Sequence, residues 1–324
     1  MQAERNHTLL IGLVALALLC SSVAAWLLID EPPADDDDDG QSDAADLTQT
    51  HPIESMNVFE LHRLLRDPIA TRDVKHKAVA RLASLTAFKE FQTQIGEMGG
   101  ISILVDLLRQ VLHDDSGDRD EAFTCALLLA MSNLTVHVTN HTLLHIEGAE
   151  AVAASIYESH ASSIAVRLGS LRLLSNLSMW DASRDVVRTL PVIHTLAGDL
   201  LSSSRGNKDH GEANEDTASS NAILKLFVNL TDKAHGQVDT NAAYESILDA
   251  TTGFCLSCGD QLSAWEVETS GYILRHLAAF GNVVVRRPES LCNPHVAPGK
   301  TKLERSLRCL HAFDLLDNDI MSNA

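Results

Sequence analysis

The sequence predicts an all-α fold, a right-handed α-solenoid of short helices preceded by one N-terminal transmembrane helix. Three observations predict it. Aromatic residues are only 4% of the 324-residue chain while apolar residues reach 45%, a balance that suits Leu- and Ala-rich helices and not strands, which favour aromatic and β-branched side chains. A nine-residue apolar pattern recurs at intervals of 49, 43, 53 and 47 residues, measured between Leu82, Met131, Leu174, Phe227 and Leu274, as in a repeat array. Near the start, a run of 22 residues carries no charge. The apolar fraction excludes wholesale disorder, and the length allows one large domain or two small ones.

Residues 1–7 form a short tail. Thr8 to Ile29 is the uncharged run; as a helix it spans roughly 33 Å, enough to cross a hydrocarbon core. Val23 and Ala25 also fit the small-residue pattern of a signal-peptide cut. The apolar run continues past that point through Trp26-Leu-Leu-Ile29, which favours a retained signal anchor containing Leu9 and Ala17, with Trp26 at the membrane interface. Arg5 is the only base before the run, and acids follow it. In the secretory pathway this pattern places the main domain in the lumen; the mitochondrial outer membrane does not have to obey the same rule. Residues 30–51 read as an acidic, solvated spacer. Nine acids and no base lie between Asp30 and Asp46, so this stretch supplies −9 of the net charge of −19. So acidic a chain is a poor match for nucleic-acid phosphates.

Residues 52–285 carry the repeats. Four segments read AVARLASLT (Ala78–Thr86), LLLAMSNLT (Leu127–Thr135), SLRLLSNLS (Ser170–Ser178) and ILKLFVNLT (Ile223–Thr231), with a weaker fifth, SGYILRHLA (Ser270–Ala278). Three residues after the central column stand Leu85, Leu134, Leu177, Leu230 and Leu277; three before it stand Val79, Leu128, Leu171, Leu224 and Gly271. This spacing forms an apolar stripe on one helix face. Gly99-Gly100, Gly148 and Leu190-Pro191 precede further apolar segments, breaking one helix and starting the next. Each unit is therefore a short helix, a turn, a second helix and a third helix bearing the columns, and stacking such units gives a concave face. The longer intervals hold two polar insertions, His113–Glu121 and Ser202–Ser220, the second expected to be a mobile loop. In residues 286–324 a Pro/Gly loop leads to Leu303–Leu316, whose helical spacing predicts a helix capping the end of the array.

The pattern Gly-Gly-x-x-x-Leu-Val-x-Leu-Leu followed by Leu-x-Asn-Leu-Ser/Thr resembles the armadillo repeat. A membrane segment, an acidic spacer and then LHRLLRD and AVARLASLTAFKEFQTQIGEMGGISILVDLL resemble the Alex family of armadillo-repeat-containing, organelle-anchored proteins; SNLSMW, ILKLFVNLTDKAH, FCLSC and YILRHLAAF follow in that family's order. The resemblance covers roughly residues 52–285. It implies a membrane-tethered adaptor on the mitochondrial outer membrane, facing the cytosol and acting in organelle distribution or trafficking.

Between the last two apolar columns lies a polar one: Ser84, Asn133, Asn176, Asn229 and His276. In peptide-binding armadillo proteins, Asn at this place lines the concave groove, where an amide pairs with peptide backbone of any sequence. Those families favour Trp four residues earlier; here stand Leu129, Arg172, Lys225 and Tyr272. The candidate groove is therefore Asn133, Asn176, Asn229, His276, Arg172 and Lys225, with the two cations pointing to an acidic or helical partner. Two other readings of the asparagines stay open: hydrogen bonds to the neighbouring unit, and glycosylation, since Asn133, Asn176, Asn229 and Asn140 each begin an Asn-x-Ser/Thr sequence. Of these only Asn140 lies off the helix column.

The six cysteines are irregularly spaced and suggest no disulfide framework. Cys255 and Cys258 form a lone C-x-x-C without a second pair for zinc. They read as buried thiols, with a redox pair as the residual alternative. His141 and His145 share a helix face without a third ligand. Nucleophile-elbow, Walker and dinucleotide-binding motifs are missing from the sequence. The expectation is a non-enzymatic adaptor with no catalytic residues, cofactor, metal or small-molecule substrate. It would hold a protein partner in its groove, a membrane through its N-terminal helix, and no nucleic acid. The alternative is an endoplasmic-reticulum luminal chaperone cofactor of the armadillo type that promotes nucleotide exchange.

Overall fold

The computed structural model describes residues 52–114, 120–203, 213–232, 241–258 and 262–279. These form thirteen α-helices and no strands. After a 3-10 turn at Ile53–Ser55 come α1 (Val58–Arg66), α2 (Arg72–Leu85), α3 (Lys89–Glu97), α4 (Gly100–His113) and α5 (Glu121–Leu134). Then follow α6 (Val138–Ile146), α7 (Ala149–Ser159), α8 (Ile164–Leu177), α9 (Asp181–Thr189) and α10 (Val192–Ser203). The last three are α11 (Ala213–Thr231), α12 (Asn241–Cys258) and α13 (Ala264–Ala279). No helix among the described residues is long and apolar enough to cross a membrane. The anchor residues Leu9, Ala17 and Trp26, the acidic spacer and the expected capping helix all lie outside the described residues.

The three-helix unit recurs as α3–α4–α5, α6–α7–α8 and α9–α10–α11. Its third helices pack side by side in chain order, α2 on α5, α5 on α8, α8 on α11 and α11 on α13. A second row, α4, α7, α10 and α12, packs behind them in the same order. The aligned columns form the core of the first row. Met131, Leu134, Leu174, Leu177, Phe227 and Leu230 are fully buried, and Leu82, Leu85, Leu274 and Leu277 nearly so. Full burial of such a side chain stabilises by about 1.5–3 kcal/mol, far more than helix propensity differences of a few tenths, so packing between units holds these helices.

Helix boundaries follow local chemistry. Asn57 and Glu60 form a capping box on α1, and Thr71, Asp120 and Ser163 cap α2, α5 and α8 by accepting a backbone N–H. Gly99 and Gly148 adopt φ of 76° and 68° between the first and second helices of two units, a left-handed turn that side chains with a Cβ resist. Leu190, extended ahead of Pro191, makes the same break before α10.

One expected loop is shorter than predicted. Within Ser202–Ser220, α10 continues to Ser203 and α11 already starts at Ala213. The polar composition suggested a loop throughout. The packed half of α11, with Ile223, Leu224, Phe227 and Leu230 buried, instead supplies a formed helix, and extending an existing helix costs far less than nucleating one. The hydroxyls of Ser203 and Ser220 meet at 2.7 Å and tie the two helices together.

Close approach also constrains the first helices. A Cβ on Gly96 of α3 would lie 2.1 Å from Asn140 Oδ1 of α6. Gly96→Ala should therefore lower stability by about 2 kcal/mol through overpacking, measured as a shift in the denaturant midpoint at unchanged slope. An unshifted midpoint would mean that α3 and α6 separate without cost.

Candidate partner-binding face

The polar column lies along the row of third helices, and four of its members reach the preceding unit. Asn133 Nδ2 donates to Thr86 Oγ1 at 3.2 Å, Asn176 Nδ2 to the Ser132 carbonyl at 3.1 Å, and Asn229 Nδ2 to the Ser175 carbonyl at 2.8 Å. His276 Nδ1 meets the Thr231 carbonyl at 3.3 Å. Ser84 stands exposed at the start of the row, and its hydroxyl donates to the Ala80 carbonyl of its own helix. Four of the five polar positions thus bond to the preceding third helix, Asn176 and Asn229 to the carbonyl just before its polar column and Asn133 and His276 to the Thr two places after it.

The residues two places after Asn133 and Asn176 complete the joints that Asn176 and Asn229 make. The Thr135 hydroxyl donates to the Ser132 carbonyl at 2.5 Å and the Ser178 hydroxyl to the Ser175 carbonyl at 2.8 Å, the same oxygens that receive Asn176 and Asn229. At the first unit, Thr86 donates to the Ala83 carbonyl at 2.6 Å while accepting from Asn133. The Asn-Leu-Ser/Thr sequence therefore has a structural account: the amide links units, Leu fills the core, and the hydroxyl satisfies a carbonyl at the helix end. Asn133 and Asn140 are buried. The Asn140 amide donates to the Gln92 and Leu134 carbonyls, both at 3.1 Å, so a glycan there is incompatible with this fold.

Four residues before the asparagines, Arg172 on α8 and Lys225 on α11 occupy neighbouring places. The Asn229–Ser175 bond sets the register, placing Lys225 one turn earlier beside the turn of α8 that carries Arg172. Among the described residues neither cation makes a hydrogen bond or ion pair. Burial pulls both groups below their ordinary pKa, and the Arg172 charge adds to the depression at Lys225. Leu129 holds the equivalent place on α5, half-buried against the core. At the other end Tyr272 stacks on His276, with ring centroids 4.1 Å apart, and its hydroxyl reaches Asp232 at 3.5 Å. The structure thus puts all six groove candidates on one row of helices, with one amide N–H of each asparagine spent on a joint and the two cations left unpaired among the described residues.

Sequence reasoning missed a second set of joints. Six residues after the residues that cap α2, α5 and α8 (Thr86, Thr135 and Ser178), a side chain of the following first helix lies back over the helix end. Gln92 Nε2 donates to the Thr86 carbonyl at 2.9 Å, and Arg184 Nε to the Ser178 carbonyl at 2.9 Å. His141 occupies the equivalent position, and the Thr135 backbone beside it acts to raise the pKa of its ring. Arg188, one turn beyond Arg184, donates through Nε and Nη2 to the Leu230 carbonyl at 2.8 and 2.6 Å. These hooks cap carbonyls at helix C-termini, where cationic side chains are also favoured by the dipole. The sequence signal was constant spacing with changing residue type: Gln, His and Arg share only the ability to donate.

The remaining candidates separate. His141 stacks against Trp180, centroids 3.9 Å apart, while His145 Nδ1 pairs with Glu150 Oε1 at 2.9 Å. Cys255 is buried on α12; the Cys258 side chain lies outside the described residues. Burial, and then Glu121, raise the pKa of the free Cys125 thiol. Apolar side chains also line the turns that follow the third helices: Phe88, Val136 and Met179 are each more than half exposed. Compared with known proteins, the chain matches no family model, and no curated protein is similar to it.

Proposed function

We propose that the chain is a non-enzymatic, membrane-anchored adaptor: an armadillo-like right-handed α-solenoid of the Alex type that holds a protein partner against its concave face at the mitochondrial outer membrane. The observation that carries the reading is the row of third helices, aligned by a repeated joint, with two cations on its face that pair with no acid among the described residues. A row of this kind offers an extended surface and not an enclosed site, which suits binding an elongated segment. The mechanism is geometric. The uncharged run 8–29 supplies the anchor, the acidic spacer supplies reach, and the helical array supplies the surface. The armadillo motifs support the fold, and the organelle is carried over from the Alex resemblance.

Topology tests this reading. Protease added to intact isolated mitochondria should digest the tagged repeat domain. Full protection, together with a glycosidase-sensitive band, would replace the adaptor with a luminal chaperone cofactor.

A further inference from the structure

We infer that the third-helix face recognises an acidic, extended segment of its partner through Arg172 and Lys225; this rests on the adaptor reading and specifies the partner's chemistry. Arg72, Arg109, Arg167, Arg184 and Arg188 each pair with an Asp. Among the described residues Arg172 and Lys225 do not, and neither do others such as Arg66, Arg81 and Arg275; what sets this pair apart is its place, two partly desolvated cations on adjacent helices close enough for the Arg172 charge to act on Lys225. Two like charges on adjacent helices repel, so the arrangement costs stability in the free protein, and an anion placed between them removes that cost.

The neighbours narrow the anion. Each asparagine spends one amide N–H on a joint, so beside the two cations the face offers amide oxygens and the second amide N–H groups; the cations favour carboxylates and the amides suit peptide backbone. Packed helix axes lie about 8–10 Å apart. An extended polyproline-II segment rises about 3.1 Å per residue with three residues per turn, so acids at every third position present carboxylates on one side at that spacing. Leu129 at one end and the Tyr272–His276 stack at the other flank the pair with less polar contacts.

The test uses the full chain in detergent micelles and labelled peptides of about twelve residues carrying Glu, Gln or Lys at every third position, a spacing taken from the polyproline-II repeat. The Glu peptide should bind at least tenfold more tightly than the Gln peptide and weaken with added salt. Arg172→Met with Lys225→Met should remove that preference without lowering the melting temperature, because it also removes the repulsion. If the double variant fails to fold, Lys225→Glu serves instead and should weaken Glu-peptide binding and favour the Lys peptide. Equal binding of Glu and Gln peptides, or unchanged binding by these variants, overturns the inference, as does equal competition by a single-stranded RNA. A photo-crosslinking residue at Leu129, introduced in cells, separates the two levels. A crosslinked protein unaffected by the charge variants would leave the adaptor standing and sink the acidic partner; no crosslink and no peptide binding would sink both.

Discussion

Replacing Asn133, Asn176 and Asn229 together with Ala should lower the stability of the folded chain by about 3 kcal/mol, each lost hydrogen bond contributing about 1 kcal/mol. The three sites lie on different helix pairs and share no partner, so their effects should be close to additive. Alanine also leaves part of each joint unfilled, while the Ser132 and Ser175 carbonyls keep the hydroxyl donors of Thr135 and Ser178. That second donor limits the loss to the net value of a bond and avoids the larger cost of a stranded buried carbonyl. Denaturant unfolding followed by far-UV circular dichroism reads the change. A triple variant that keeps its midpoint but no longer binds partner would move the asparagines from the joints to the binding surface.

The same three residues show what a sequence makes legible. The apolar columns were readable because burial selects for size and hydrophobicity, and Leu82, Met131, Leu174, Phe227 and Leu274 are all buried. The glycine turns were readable because a φ near +70° at Gly99 and Gly148 excludes most alternatives. The polar column was visible as a column, but its direction was not. An amide beside a groove and an amide beside a neighbouring helix look identical until the register is known, and the Ser132 and Ser175 carbonyls supply that register. The cations Arg172 and Lys225 were visible as charges. Their lack of partners among the described residues required knowing which acids lie near them.

The hooks were the least legible feature, and they set a limit on pattern reading. Gln92, His141 and Arg184 do one job with three chemistries, so hydropathy alignment places them in no column. Their common feature is distance along the chain: six residues bring the side chain from the first helix of one unit back over the end of the preceding third helix. The units therefore differ most in how their corners are closed. One unit uses a neutral amide and another a guanidinium paired with Asp181. The middle one uses an imidazole, which makes that corner sensitive to acid.

Acidification should destabilise the chain through His141, and His141→Gln should remove much of that sensitivity. His141 is buried, with Nδ1 lacking a hydrogen-bond partner and its ring against Trp180. Burial lowers its pKa to about 4, against the smaller opposing effect of the Thr135 backbone. The native state therefore keeps the ring neutral between about pH 6.5 and pH 4, while the unfolded chain takes up a proton. Stability is fully present above about pH 6.5 and falls by about 1.4 kcal/mol per pH unit below it, to a total loss of roughly 3 kcal/mol at about pH 4. Burial also lowers the pKa of His62, which adds a slope of the same sign, so the comparison with a variant isolates the His141 share. Gln is the residue that fills the equivalent corner at Gln92 and donates to the Thr86 carbonyl, so His141→Gln places a donor beside Thr135 while removing the titration. Denaturant midpoints at about pH 7 and about pH 4.5 should show the parent losing about 2–3 kcal/mol more than the variant. Equal losses would mean that the ring takes up its proton without leaving the corner.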